Sequence, residues 1–173
     1  MASTAPAAPP VSDVAAVWDH VLLLHARVES RLTTALQRRH GIGLSEYRAL
    51  GHLAVAPDSE LRMQELAGKL GLNQSSVTRL VNRLNAAEFT YRDLCPDDKR
   101  GVYTVITESG RARYTEASRT YDGTLTVALE EAGRSDPRLA TALTTLRAHM
   151  TVAKPGQEQQ IQPDVVPASQ SRE

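Results

Sequence analysis

The sequence predicts a mainly α fold with a small β-hairpin, and three observations predict it. A long amphipathic stripe opens the patterned part of the chain. Two short helical segments follow, joined by the tight turn Leu70-Gly-Leu-Asn73. Two β-prone runs then flank a charged loop before helical spacing returns. The length of 173 residues suits one domain, or one domain with an elaborated dimer interface. With 41% apolar and 23% charged residues, a core can be buried.

Residues 1–10 are Ala/Pro low complexity, and residues 155–173 carry five Gln and three Pro without a stripe, so both ends are expected to be solvated and disordered. From Asp13 to Arg39, Val14, Trp18, Val21, His25, Val28, Leu32 and Ala35 recur at steps of three and four, a helix of about seven turns stopped by Gly41 and Gly43. Ser45 is expected to cap a short second helix carrying Tyr47, Leu50 and Leu53, ended by Pro57-Asp58. A third helix turns Met63, Leu66, Ala67 and Leu70 inward. Asn73 caps a fourth, in which Val77, Leu80, Val81 and Leu84 share one side at about 100° per residue. Ser75, Arg79 and Asn82 point the other way, flanked by Ser76, Thr78 and Arg83, with no acid between Asn73 and Ala87.

The runs 89–94 and 102–106 predict a hairpin whose tip, Cys95 to Gly101, is polar and charged. Thr107 should cap a long helix with Ala112, Thr115, Ser118/Arg119, Leu125 and Leu129 along its stripe, its continuity weakened at Gly123. Ser135-Asp136-Pro137 starts a last helix, with Leu139, Leu143, Leu146 and Met150 on one side. The predicted organisation is a winged helix-turn-helix lobe over 41–107, held by a helical dimerisation region made of 11–40 and 108–154.

Lys plus Arg and Asp plus Glu number 20 each, so nucleic acid or membrane cannot be coated by bulk attraction, and anion binding must come from local clusters. Residues 61–113 hold nine Lys/Arg against six Asp/Glu. The start of the chain shows no basic and apolar leader pattern, and no run reaches the about 18 apolar residues of a membrane span, so a cytoplasmic protein without membrane partners is expected. A lone cysteine excludes an intramolecular disulfide framework and a Cys-rich zinc site. The five histidines show no metal spacing, and no cofactor or metal is expected.

Outward polarity on a helix that follows a tight turn has a physical use. The N-terminus at Asn73 and Gln74 offers backbone N–H groups to a phosphate. Small Ser75, Ser76 and Thr78 permit close approach to a major groove, and Arg79 and Arg83 reach phosphates or guanine edges. Lys99 and Arg100 at the hairpin tip suit phosphates and the narrow minor groove.

The chain over residues 14–152 resembles the MarR (multiple antibiotic resistance regulator) family. The resemblance rests on Met63-x-x-Leu-Ala-x-x-Leu-Gly-Leu72, on Ser76-Val-Thr-Arg-Leu-Val-x-Arg-Leu84, and on Asp98-Lys-Arg-Gly-Val-Tyr-x-x-Ile-Thr-x-x-Gly110. The helix-turn-helix segment is shared with many regulators, and the wing pattern is the more specific part. The resemblance implies a homodimer with two winged lobes on a pseudo-palindromic operator, acting as a repressor often relieved by a small-molecule effector. Carried over by position, Ser75, Ser76, Thr78 and Arg79 enter the major groove and Arg100 the minor groove, with Asp98 orienting Arg100. Where the family commonly has Gly-Leu after the recognition helix, this chain has Glu88-Phe89.

Trp18, His25, Arg48 and His52 fall near where the family often holds ligands, so they are candidate pocket residues, although core or dimer packing explains them more simply. Cys95, with Arg92, Lys99 and Arg100 near in sequence, is a candidate redox sensor against the simpler reading of a passive thiol. An enzyme using Cys95 as nucleophile lacks a histidine within 40 residues on either side. A pure protein-interaction module would need exposed Leu, Phe or Tyr anchors on the fourth helix, which carries none. The expectation is therefore a sequence-specific double-stranded DNA-binding transcriptional regulator, not an enzyme.

Overall fold

The computed structural model describes residues 13–94 and 102–152, the side chains of 94, 146, 147 and 149–152 excepted. The expectations for both chain ends, for Cys95, Asp98, Lys99 and Arg100, and for the Leu146 and Met150 stripe positions lie outside the described residues. The elements run α1 (Asp13–His40), α2 (Leu44–Ala54), β1 (Glu60–Arg62), α3 (Met63–Leu70), α4 (Gln74–Ala86), β2 (Thr90–Leu94), β3 (Val102–Ile106), α5 (Glu108–Ser135) and α6 (Pro137–Val152). Among the described residues no helix is long and apolar enough to cross a membrane.

Two apolar clusters organise these elements. Leu50, Leu53, Leu66, Val77, Leu80, Val81, Leu84 and Ile106 are buried together, joining α2, α3, α4 and β3. Each such side chain contributes about 1.5–3 kcal/mol through burial, so α4 is anchored along its whole inner face. The second cluster, Leu32, Leu36, Ile42, Leu44, Tyr47 and Ala117, joins α1 to α2 and α5. Tyr47 stacks between Tyr114 and Tyr121, at 5.2 and 4.6 Å between ring centroids. Burial pushes its phenol up to about 12, against the opposing hydrogen bond to Ser118.

The sheet is antiparallel in the order β1-β3-β2. Thr90 faces Ile106 and Leu94 faces Val102, which is the expected hairpin. The first strand was not legible beforehand. Three residues, Glu60-Leu61-Arg62, are too few to display alternation, and they become a strand only by pairing with Val105, Thr104 and Tyr103.

Two local expectations are corrected. The cap of α2 is Gly43 rather than Ser45, which lies inside the helix. The Glu46 carboxylate, three residues on, reaches back to accept from the Gly43 N–H at 2.8 Å and so satisfies the cap's own donor. The inward stripe of α5 is Gly110, Tyr114, Ala117, Tyr121, Leu125 and Ala128, while Ala112 and Thr115 are exposed. Two tyrosines and a glycine carry that stripe, and a reading weighted towards Ala and Leu misses their register. The helix is continuous through Gly123.

Candidate nucleic-acid interface

The α3–α4 connection is built from two caps. Gly71 adopts φ +65°, and the bonds Gly71 N–H to Gly68 O (3.2 Å) and Leu72 N–H to Ala67 O (2.9 Å) close α3 tightly. Two residues later Asn73 Oδ1 accepts from the Ser76 N–H at 2.8 Å and from the Ser75 hydroxyl at 2.9 Å. The N-terminus of α4 therefore stands at the surface with its first residues exposed, as a positive helix end requires if it is to meet an anion.

The two faces of α4 separate as its spacing predicts. Val77 and Val81 are fully buried, and Leu80 and Leu84 nearly so. Gln74, Ser75, Arg79, Asn82 and Arg83 are exposed, whereas Ser76 and Thr78 are half-buried on the flanks. The Thr78 hydroxyl donates back to Gln74 O at 2.8 Å. Arg79 has no hydrogen-bond or ion-pair partner among the described residues, so its guanidinium is available to an incoming acceptor. Arg83 differs: its Nε donates to Glu46 Oε1 at 2.7 Å, tying α4 to α2. With its other oxygen on the Gly43 N–H, the 15% exposed Glu46 carboxylate fixes both the start of α2 and the flank of α4.

Sequence reasoning did not find two contributors to this surface. Glu46 had a signal, a glutamate three residues into a helix, which the choice of Ser45 as cap obscured. Arg92 had none, because β2 and α4 meet only in three dimensions. Its Nη2 donates to Asn82 Oδ1 at 2.6 Å, which engages the amide oxygen and leaves the amide N–H donors to other acceptors. At the opposite edge of the sheet Arg62 Nε donates to the Tyr103 hydroxyl at 2.6 Å and lies 5.4 Å from that ring.

The wing is seated by the Thr107-x-x-Gly110 segment. Thr107 Oγ1 accepts from the Gly110 N–H at 3.0 Å and donates to Glu88 O at 2.8 Å, and the Thr107 N–H donates to Phe89 O at 3.0 Å. A Cβ on Gly110 would lie 2.1 Å from Phe89 O, so only glycine permits this approach. The end of α4, the base of the wing and the start of α5 are thereby locked together.

The four candidate pocket residues are not brought to one site. His25 and Arg48 converge on Glu29, at 3.4 and 2.8 Å. Trp18 stands two turns earlier on α1, 59% exposed. His52 sits a turn beyond Arg48 on α2, its pKa lowered by burial and, secondarily, by Lys69. Two cavities of about 590 and 610 Å³ lie between α1 and α5, and none of the four residues lines either.

Residues 40–101 match the model of the MarR family. No curated protein sequence matches the chain. Among solved structures the chain is similar to Sco3205 of Streptomyces coelicolor, a MarR family transcriptional regulator in complex with DNA, with TM-score 0.68 and 24% identity over 90% of this chain and 97% of that one. It is similar to AbsC, a MarR family regulator of the same organism, with TM-score 0.66 and 20% identity over 84% and 99%. It is also similar to Bordetella bronchiseptica BpsR, whose DNA binding is regulated by 6-hydroxynicotinic acid, with TM-score 0.64 and 17% identity over 84% and 100%. Residues 40–101 thus match the MarR family model, and the chain has the winged helix-turn-helix fold of solved MarR family regulators.

Proposed function

We propose that this protein is a sequence-specific double-stranded DNA-binding transcriptional regulator, acting as a homodimeric repressor on a pseudo-palindromic operator and released by a small-molecule effector. The observation that carries the reading is the outward face of α4. It presents Arg79, unpaired among the described residues, together with Ser75, Asn82 and the exposed N-terminus at Asn73 and Gln74, on a helix whose other face is wholly buried. In this reading Ser75, Ser76, Thr78 and Arg79 enter the major groove and Arg83 contacts the backbone beside its Glu46 tie. The wing residues Lys99 and Arg100 reach the minor groove, with Asp98 orienting Arg100.

The second copy is supported by α1, where Val14, Val17, Trp18, Val21, Leu22 and Leu23 are between 46% and 80% exposed in the single chain. A contiguous apolar surface of this kind needs cover. The DNA-bound state of Sco3205 and the effector control of BpsR, proteins of the same fold, agree with the reading. An effector that prefers a splayed dimer would shift the population from the DNA-competent one.

Selection of genomic fragments by the full chain tests the proposal. The expected product is one motif with two inverted half-sites about 10 base pairs apart, centre to centre. Fragments without a shared motif would contradict it.

A further inference from the structure

We propose that Asn82 reads a keto oxygen, guanine O6 or thymine O4, at one base pair of each operator half-site, and that Arg92 on β2 is the positioning residue that sets this choice. The inference rests on the DNA-reading role proposed above for α4. It adds which base edge that helix selects and which strand residue makes it do so. Thr90 and Arg92, two apart on a strand, project to one side, and Asn82 and Asn85, three apart on a helix, share a face. The two sets meet in register: the Thr90 hydroxyl and the Asn85 amide at 2.5 Å, and Arg92 Nη2 with Asn82 Oδ1 at 2.6 Å. The inner pair is covered, Thr90 being buried and Asn85 half-buried, and it seats the strand on the helix. The outer pair is exposed at both ends, on the outward face that also carries Ser75 and Arg79.

A guanidinium carries donors only, so the Asn82 atom beside it is the oxygen, and the orientation of the amide is fixed. An asparagine that reads adenine uses both ends of its amide, Oδ1 accepting from N6 and Nδ2 donating to N7. Here an adenine amino group would have to share Oδ1 with a cationic donor already bound to it, so that pairing is opposed. The Nδ2 hydrogens remain, and they need an acceptor. Guanine O6 and thymine O4 supply one at the place on the major-groove edge where adenine and cytosine carry an amino group. Arg92 thus converts a side chain suited to adenine into one that selects against an amino group.

Selection of bound duplexes from a randomised pool by the full chain tests the inference, with wild type, Asn82→Ala, Arg92→Met and the double variant. Methionine keeps an unbranched stem and removes the donor, and circular dichroism confirms that each variant folds. The position read by Asn82 is the one whose base preference Asn82→Ala abolishes. Anisotropy titration then compares duplexes carrying each of the four bases there. Wild type should favour guanine or thymine over adenine by about fivefold or more in affinity. Arg92→Met should raise adenine at least to parity, leave the preferences at other positions unchanged, and have no effect at this position when residue 82 is already alanine. A wild-type preference for adenine, or an unaltered ratio in Arg92→Met, overturns the inference. So does a guanine preference that survives Asn82→Ala and is lost in Arg92→Met, because Arg92 would then read the base itself. If Asn82→Ala abolishes no preference at any position, the inference is likewise overturned. Each of these outcomes leaves specific binding intact, whereas a wild type that selects no sequence removes the regulator reading and this inference together.

Discussion

Glu88 ends α4 at φ +60°, in the left-handed region where glycine is favoured. Around it the chain makes the same pair of bonds that Gly71 makes at the end of α3. The Glu88 N–H donates to Asn85 O and the Phe89 N–H to Leu84 O, both at 3.0 Å. The motif is therefore imposed by its surroundings, with Thr107 holding Glu88 O and Phe89 O from below. Glu88→Gly should relieve the strain and raise unfolding free energy by about 1 kcal/mol in urea titration. Gly110→Ala should act in the opposite sense. Its Cβ meets a backbone oxygen that cannot rotate away, and a loss of about 2–4 kcal/mol is expected. At His52, burial and Lys69 hold the pKa below its ordinary 6.5, so the unfolded chain takes up the proton more readily. Stability should rise with pH through the window just below 6.5 and fall again on acidification. Urea midpoints at about pH 5 and about pH 7.5 should differ less in His52→Gln than in wild type.

At the scale of the element, α4 is held from three sides: by its buried face, by Asn73 at its start, and by Glu46 and Arg92 on its flanks. Asn73→Ala removes the acceptor for the Ser76 N–H and should cost about 1 kcal/mol in urea unfolding. Glu46→Gln weakens two charge-assisted bonds at once, and a loss of about 1–2 kcal/mol is expected by the same measurement. The inner face of α4 was legible in the sequence because four aliphatic residues share one side of a helix. The turn was legible because glycine at Gly71 and asparagine at Asn73 have few other uses in that order. The flanking ties were not, since Glu46–Arg83 spans 37 residues and Arg92–Asn82 joins a strand to a helix, and neither leaves a periodic trace. For the same reason β1 was invisible until β3 stood beside it, and the α5 stripe was misplaced where tyrosines replaced aliphatics.

At the scale of the molecule, one chain leaves the first half of α1 apolar and uncovered. Sedimentation equilibrium should therefore find a dimer for the wild type, and Val21→Glu with Leu22→Glu should shift the equilibrium to monomer by burying unpaired charge. Two lobes joined in this way would present two copies of the Arg79 face to one duplex. The most direct test of the central claim is fluorescence-anisotropy binding across a salt series, to duplexes from the promoter region beside the protein's own gene and to scrambled duplex. Wild type should bind one specific duplex about 10³-fold more tightly than scrambled DNA. Both Arg79→Ala and Arg100→Ala should lose that preference and flatten the salt dependence. Weak and equal binding to every duplex, unaltered by either substitution, would contradict the account.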